Sequence, residues 1–245
     1  MIFSKFYAEC YNQIHSSKRY SSEIQKMLQF LELNLNKTGI NRILDFGCGT
    51  GIHLSSLSDN KLELYGYDRN DYMLEVARQN YPNLFVTSDY AQIPDEMDLI
   101  YSLFDVVNYQ VTDDEVETFF QSLVCKLSQG ATLVIDGWHL SGVAQDPPKM
   151  LEREIFFESL TVTRRVTPTT YDSYRTTVLN ITLEDKSQSR LLADENHTMR
   201  AFDAPELEKI ANSCGFTRIT FRDGSNWDKE LSPDSWRFVM FAEKA

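Results

Sequence analysis

The run Ile43-Leu44-Asp45-Phe46-Gly47-Cys48-Gly49-Thr50-Gly51 constrains this chain more than any other, because it reads as a buried strand that turns on three closely spaced glycines into a helix. Glycine is needed where a chain turns sharply after a strand, and where a Cβ would keep the backbone from a ligand. The run is therefore a backbone cradle for a nucleoside-bearing cofactor. A dinucleotide fingerprint would place its third glycine at position 52, but Ile52 sits there and the glycine comes at 51. That spacing argues against NAD or FAD and a dinucleotide-dependent oxidoreductase. No Gly-Lys-Ser/Thr follows, so the lysine and hydroxyl that a P-loop uses on phosphates and magnesium are missing.

Two further strand ends carry acids. The apolar run from Leu62 to Tyr67 ends in Asp68, in the region where doubly wound folds put a carboxylate on ribose hydroxyls. A third run, Leu84 to Thr87, is followed by Ser88-Asp89-Tyr90. A glycine-rich turn, Asp and Asp in chain order at three strand ends form a pattern rather than three isolated loop residues.

Helical spacing of Ile24, Met27, Leu28, Leu31 and Leu35 predicts a lid-like helix over 18–36 that packs on the sheet. Helices are also predicted over 70–80, from the cap Asn70, and from Thr112 or Asp113 to about residue 128, with Gly130 ending it. Strands are predicted at 97–104 and 131–136. This βα alternation implies an α/β fold with a mostly parallel sheet, helices on both faces, and ligands outside the carboxyl ends of the strands. Between about 140 and 202 the period changes. Val162, Arg164 and Val166, then Val178, Asn180 and Thr182, alternate in strand fashion about a turn at Pro168-Thr169-Thr170, and a third strand runs from about Leu191 to Met199. An antiparallel insert is expected there, followed by a helix over 204–213 and strands at 216–222 and 236–242. The chain thus divides into 1–139, the core with its N-terminal helix; 140–202, the insert; and 203–245, the return to the core.

Composition narrows the partners. With 245 residues the chain can bury one large core, or a core plus a subdomain. A net charge of -12 opposes phosphate backbones, so nucleic acid is not expected. The pair Arg164-Arg165 and the scattered Arg175, Arg190 and Arg200 are read as solvated strand faces. Cys10, Cys48, Cys125 and Cys214 have neither CxxC pairing nor zinc spacing, so no metal is expected and the thiols are read as reduced. The start, Met1 to Phe6, lacks a leader's apolar core and no apolar run reaches a membrane span, which leads to the expectation of a cytoplasmic chain with no membrane partner.

The glycine run resembles motif I of the class I S-adenosylmethionine-dependent methyltransferases, a Rossmann-like fold with a seven-stranded sheet. With an antiparallel module after the fifth strand, the chain is similar within that class to the sugar N,N-dimethyltransferases of nucleotide-linked amino sugars, and more distantly to glycine N-methyltransferase. Arg19-Tyr20-Ser21-Ser22-Glu23, Ser102-Leu103-Phe104-Asp105 through Asn108-Tyr109, Asp136-Gly137-Trp138 and His197 to Phe202 carry this similarity. The chain departs from that group at Asp105, Asn108 and Gly137, where the group has serine, glycine and proline, all along the expected acceptor pocket.

The resemblance implies S-adenosylmethionine as cofactor. Its site would be built by Asp45, Gly47, Cys48, Gly49, Gly51 and His53 around the glycine turn. Asp68, Arg69 and Met73 would follow the second strand, Ser88, Asp89 and Tyr90 the third, with Asp89 meeting the adenine amino group. Leu103 and Phe104, and Tyr20 from the N-terminal helix, would complete it. Methyl transfer needs nucleophile, methyl and sulfur held in line, and an amine acceptor must first lose a proton. Candidate bases are His139, Asp105 and His197. Tyr11, Tyr20 and Tyr109 could close over the methionine end, since tyrosine offers both an apolar face and a hydroxyl. Tyr11, Tyr109, Trp138 and Arg237 are the expected acceptor residues, Arg237 gripping a diphosphate bidentately. The expected acceptor is the amine of a nucleotide-linked amino sugar; methylation of oxygen or carbon in another metabolite, or a non-catalytic S-adenosylmethionine-binding protein, are the alternatives. The insert's strand edges need covering, which makes a homodimer possible.

Overall fold

The computed structural model describes residues 3–57 and 61–245; Met1 and Ile2, part of the start read above for a leader, lie outside the described residues. Helices α1 (Lys5–Ile14) and α2 (Tyr20–Leu35) precede an alternating region: β1 (Arg42–Phe46), α3 (Ile52–Ser55), β2 (Glu63–Tyr67), α4 (Asp71–Asn80), β3 (Phe85–Thr87), β4 (Met97–Ser102), α5 (Asp113–Lys126) and β5 (Leu127–Trp138). After α6 (Leu140–Gln145) come four antiparallel strands, β6 (Leu151–Phe156), β7 (Thr161–Tyr171), β8 (Thr176–Asp185) and β9 (Arg190–Arg200). The chain then returns through α7 (Ala204–Ser213), β10 (Phe216–Asp223) and β11 (Arg237–Lys244).

The seven-stranded sheet has the order β10-β11-β5-β4-β1-β2-β3, with β11 antiparallel to both of its neighbours. Strand β1 pairs in parallel with β2 on one side and β4 on the other. The order therefore reverses beside β1, and the crevice outside the carboxyl ends of β1 and β4 is where such a sheet collects ligands. Both faces are covered. Val116, Phe120 and Leu123 of α5 and Leu207 and Ala211 of α7 pack one face; Ile24, Met27 and Leu31 of α2 and Leu74 and Ala77 of α4 pack the other. Each of these side chains larger than alanine contributes about 1.5–3 kcal/mol by leaving water. A capping box fixes the start of α5: Thr112 Oγ1 accepts from the Glu115 N–H, and Glu115 accepts from the Thr112 N–H at 2.9 Å.

The boundaries differ from expectation at five places. Helix α5 ends at Lys126 and β5 begins at once, so Gly130 lies inside a strand; its φ of 72° absorbs the residues by which β5 bulges between Leu127 and Thr132 against β4. Strand β4 stops at Ser102 because Phe104 and Asp105 turn the chain at φ 72° and 67°. Pro168 sits within β7 opposite Leu179, beyond the last residue that β6 pairs, where its missing N–H leaves no ladder bond unmade. The turn falls instead at Asp172-Ser173-Tyr174, all at positive φ. Edge strand β6 was not anticipated. Finally, α2 is a core helix rather than a lid, with only its first turn, at Tyr20, reaching the crevice. Among the described residues no helix is long and apolar enough to cross a membrane.

Candidate functional site

A cavity of about 1040 Å³ opens at the carboxyl ends of β1, β2 and β4. Helix α1 closes one side, and the insert roofs it with Leu179, Ile181, His197 and Met199.

The glycine turn forms its floor. The N–H groups of Gly47 and Cys48 both donate to the Tyr67 carbonyl, at 2.7 and 3.0 Å, tying the exit of β1 to the end of β2. Gly47 has φ 85°, and a Cβ there would lie 2.6 Å from Val106 Cγ2, so both conformation and space require glycine. A Cβ on Gly49 would meet nothing within 4 Å. Beside it the Asp68 carboxylate accepts from the N–H of Gly49 and of Asn70, each at 2.8 Å. Burial raises the Asp68 pKa while those two N–H groups oppose the rise. One N–H per oxygen leaves each with a further lone pair for a diol.

Cys48, Arg69, Met73, Leu103 and Phe104 also stand in the wall, as do Tyr20 and His53. The Tyr20 hydroxyl is buried and has no partner. His53 Nε2 lies 2.7 Å from Glu23, which also pairs with Lys18 at 2.8 Å. Phe46 and Tyr67, 5.0 Å apart, add an aromatic wall that sequence reasoning did not name as part of the site. Open space at Gly49, the Asp68 carboxylate, the orphaned Tyr20 hydroxyl and flat aromatic faces together fit an adenosyl group.

Five residues expected at the cofactor do not line this cavity. Asp45 is 2% exposed beneath the turn, where burial raises its pKa well above the usual carboxylate range. Gly51 packs toward Ala77 on the far side. Ser88 and Asp89 are exposed, and Asp89 caps a short turn by accepting from the Ala91 N–H at 3.0 Å. Tyr90 meets Tyr67 edge to face at 4.9 Å and donates its hydroxyl to the Ser122 carbonyl.

The candidate bases separate cleanly. His139 does not line the cavity: its Nδ1 lies 3.0 Å from the Ser235 carbonyl, which fixes that nitrogen as a donor pointing away. His197 does line it, 2% exposed, with Nε2 3.1 Å from Glu195 and Nδ1 2.8 Å from the Tyr109 hydroxyl. A carboxylate only accepts, so Nε2 carries a proton, and with that single proton on the ring Nδ1 accepts from the Tyr109 hydroxyl. Asp105 also faces the cavity. Burial pushes its pKa up to about 6, Arg237 opposing and Asp136 adding to the rise.

Arg237 stands differently from expectation. Its Nη2 donates to Asp105 at 2.5 Å and to Asp136 at 3.0 Å, and it does not line the cavity, so its charge is engaged within the protein. Trp138 and Tyr11 do stand in the wall, Tyr11 against Phe3, His15 and Phe104. Arg164 is also corrected: only 8% exposed, it lines the cavity, while its neighbour Arg165 is exposed and pairs with Glu152. The alternation Val162, Arg164, Val166 carried the signal, since it places Arg164 on the face of β7 that its valines bury.

Residues 43–130 match the family model described as a methyltransferase domain. Over its whole length the chain is 26% identical to YqeM of Bacillus subtilis (strain 168), named as a methyltransferase that is not yet established, covering 98% of that protein. It is 24% identical over 56% of each chain to the dTDP-4-amino-2,3,4,6-tetradeoxy-D-glucose N,N-dimethyltransferase of Saccharopolyspora spinosa. Among crystal structures, an S-adenosylmethionine-dependent methyltransferase from Clostridium acetobutylicum ATCC 824 superposes with a TM-score of 0.80 at 17% identity, covering 98% of both chains. CalS10 with S-adenosylmethionine bound, an amino pentose methyltransferase from Micromonospora echinaspora, gives 0.75 at 19% identity, covering 100% of this chain and 99% of that one. At those identities the superpositions establish the shared fold, insert included.

Proposed function

We propose, from the premise that this chain is an S-adenosylmethionine-dependent methyltransferase of the class I fold, that it methylates the amine of a small molecule, a nucleotide-linked amino sugar. The observation that carries the reading is that one cavity holds both the Gly49 and Asp68 floor and the Tyr109–His197 pair, which Glu195 backs from outside the cavity wall. The names of the Saccharopolyspora relative and of CalS10 support an amino-sugar acceptor.

Asp68, the Gly47–Gly49 turn, Tyr20 and the aromatic faces of Phe46 and Tyr67 would hold S-adenosylmethionine, which supplies an electrophilic methyl on a sulfonium. The chain's own work is to position the acceptor and take a proton. Glu195 orients His197, and His197 accepts the Tyr109 proton, leaving the Tyr109 oxygen free to accept an N–H from the acceptor amine. Burial raises the Tyr109 pKa, so the hydroxyl gives its proton to His197 only as its oxygen takes one from the acceptor's ammonium, and it ends as a phenol, not a free phenolate. Helix α1 and the insert keep bulk water from the amine, which preserves its free lone pair. The same reading includes a homodimer through the insert, whose edge strand β6 exposes Leu151 and Phe156; light scattering tests it.

The test is transfer of labelled methyl from S-adenosylmethionine to a panel of nucleotide-linked amino sugars and their hydroxyl counterparts. Label on the amino sugars and not on the hydroxyl compounds is the expected result. Label only on the hydroxyl compounds would overturn the amine assignment.

A further inference from the structure

Among the described residues Arg164 is a buried cation without a counter-ion. It lines the roof of the cavity, is 8% exposed, and its Nε is buried with no partner among the described residues. The contact the structure gives it is with a neutral group, Nη2 to the Tyr7 hydroxyl at 3.5 Å. Directly opposite across the β6–β7 ladder stands Arg153, whose Nε is also buried and unpartnered. Arg153 donates its Nη2 to the Ile14 carbonyl at the end of α1, and among the described residues neither arginine meets a carboxylate within ion-pair distance. The other two members of that cross-strand row are apolar, Leu183 and Ala193.

Like charges directly opposite on a sheet repel, and burying a cation unpaired costs more still. The arrangement is stranger because the chain as a whole is acidic, at -12. Nearby carboxylates are numerous in the sequence, yet Glu152 and Glu154 point their charge outward to Arg165 and Lys186. Glu195, buried two residues along on the same face, accepts from the Ser4 N–H and faces His197 instead, so among the described residues the cationic row has no carboxylate at ion-pair distance. His15, which also lines the cavity, carries the mark of the same field: burial, then Arg164 and Arg153, lower its pKa to about 3.

We infer that Arg164, backed by Arg153, is the subsite for an anionic group of the acceptor, a phosphate or carboxylate that enters under the inserted sheet. The inference rests on the methyl-transfer reading of the same cavity and adds the residue that holds the acceptor's anionic end. A guanidinium offers a planar fork that matches either anion in two parallel bonds. Arg237, the arginine that sequence reasoning assigned to this task, is already held by Asp105 and Asp136.

Calorimetry on the full chain loaded with S-adenosylhomocysteine tests this, with pyrophosphate, a nucleoside diphosphate and malonate as probes. At least one should bind, with pyrophosphate or nucleotide binding naming a phosphate and malonate binding alone naming a carboxylate. Arg164→Met should weaken that binding 10-fold or more while the melting temperature stays level or rises, because the lost cation had no partner. Arg165→Gln should bind as the natural chain does. Failure of all three probes to bind the loaded chain, or equal binding by Arg164→Met, would overturn the assignment. If Arg164→Met does not fold, Arg164→Lys is read instead: it keeps the charge without the fork, and undiminished binding would again overturn the assignment. Anion binding that depends on Arg164, with no amino sugar methylated, would remove the proposed acceptor and leave this subsite standing.

Discussion

The Tyr109 hydroxyl and His197 Nδ1 lie 2.8 Å apart, although 88 positions separate them in the chain. One comes from the loop after β4 and the other from the last strand of the insert. If this contact moves the acceptor's proton, Tyr109→Phe and His197→Gln should each lower turnover about 10²-fold or more. Binding of S-adenosylhomocysteine should stay within about twofold. Single-turnover kinetics beside calorimetry separates the two; full turnover in either variant rules out the relay.

Asp68 joins the cofactor floor to its own backbone by two N–H bonds. Asp68→Ala removes a charged acceptor, worth about 1.5–3 kcal/mol, and should weaken S-adenosylhomocysteine binding about 10-fold or more. Unchanged heats on titration would remove Asp68 from the site.

Gly47 and Val106 test the packing of the turn. Gly47→Ala drives a Cβ to 2.6 Å from Val106 at a φ of 85°, and should cost about 2–4 kcal/mol in denaturant unfolding, from overpacking and backbone strain together. Adding Val106→Ala should recover only part of that loss, because the backbone strain persists. Full recovery would show that space alone demands glycine.

His15 makes the fold sensitive to acid. Its pKa falls from 6.5 to about 3, by burial first and then by the field of Arg164 and Arg153. Between those values the unfolded chain binds a proton that the folded chain refuses, so stability falls as pH drops through that window and levels below about 3. His15→Gln should flatten this part of the pH–stability curve, measured by urea midpoints. An unchanged slope would mean that the imidazole is protonated in the folded chain.

Part of this site is local and part is not. The turn after β1, the acid after β2 and the change of period at the insert are read from neighbouring residues, because strand, turn and pleat each write a short pattern. Boundaries failed where a backbone exception absorbed the signal, as at Gly130 inside β5 and at Phe104 and Asp105 after β4. Residues 140–202 showed their alternation, but the partner of each side chain depends on cross-strand register, and edge strand β6 has too weak an alternation to be seen alone.

By itself the sequence determined the parallel core, the glycine cradle and the inserted antiparallel module, since each follows from spacing along a few consecutive residues. Only the tertiary structure decided that His197 and not His139 faces the cavity, that Arg237 is taken by two carboxylates, and that Arg164 is buried without one. Those are facts about which distant charges and lone pairs meet, and a side chain's partner is set by the packing of whole elements, not by its neighbours in the chain.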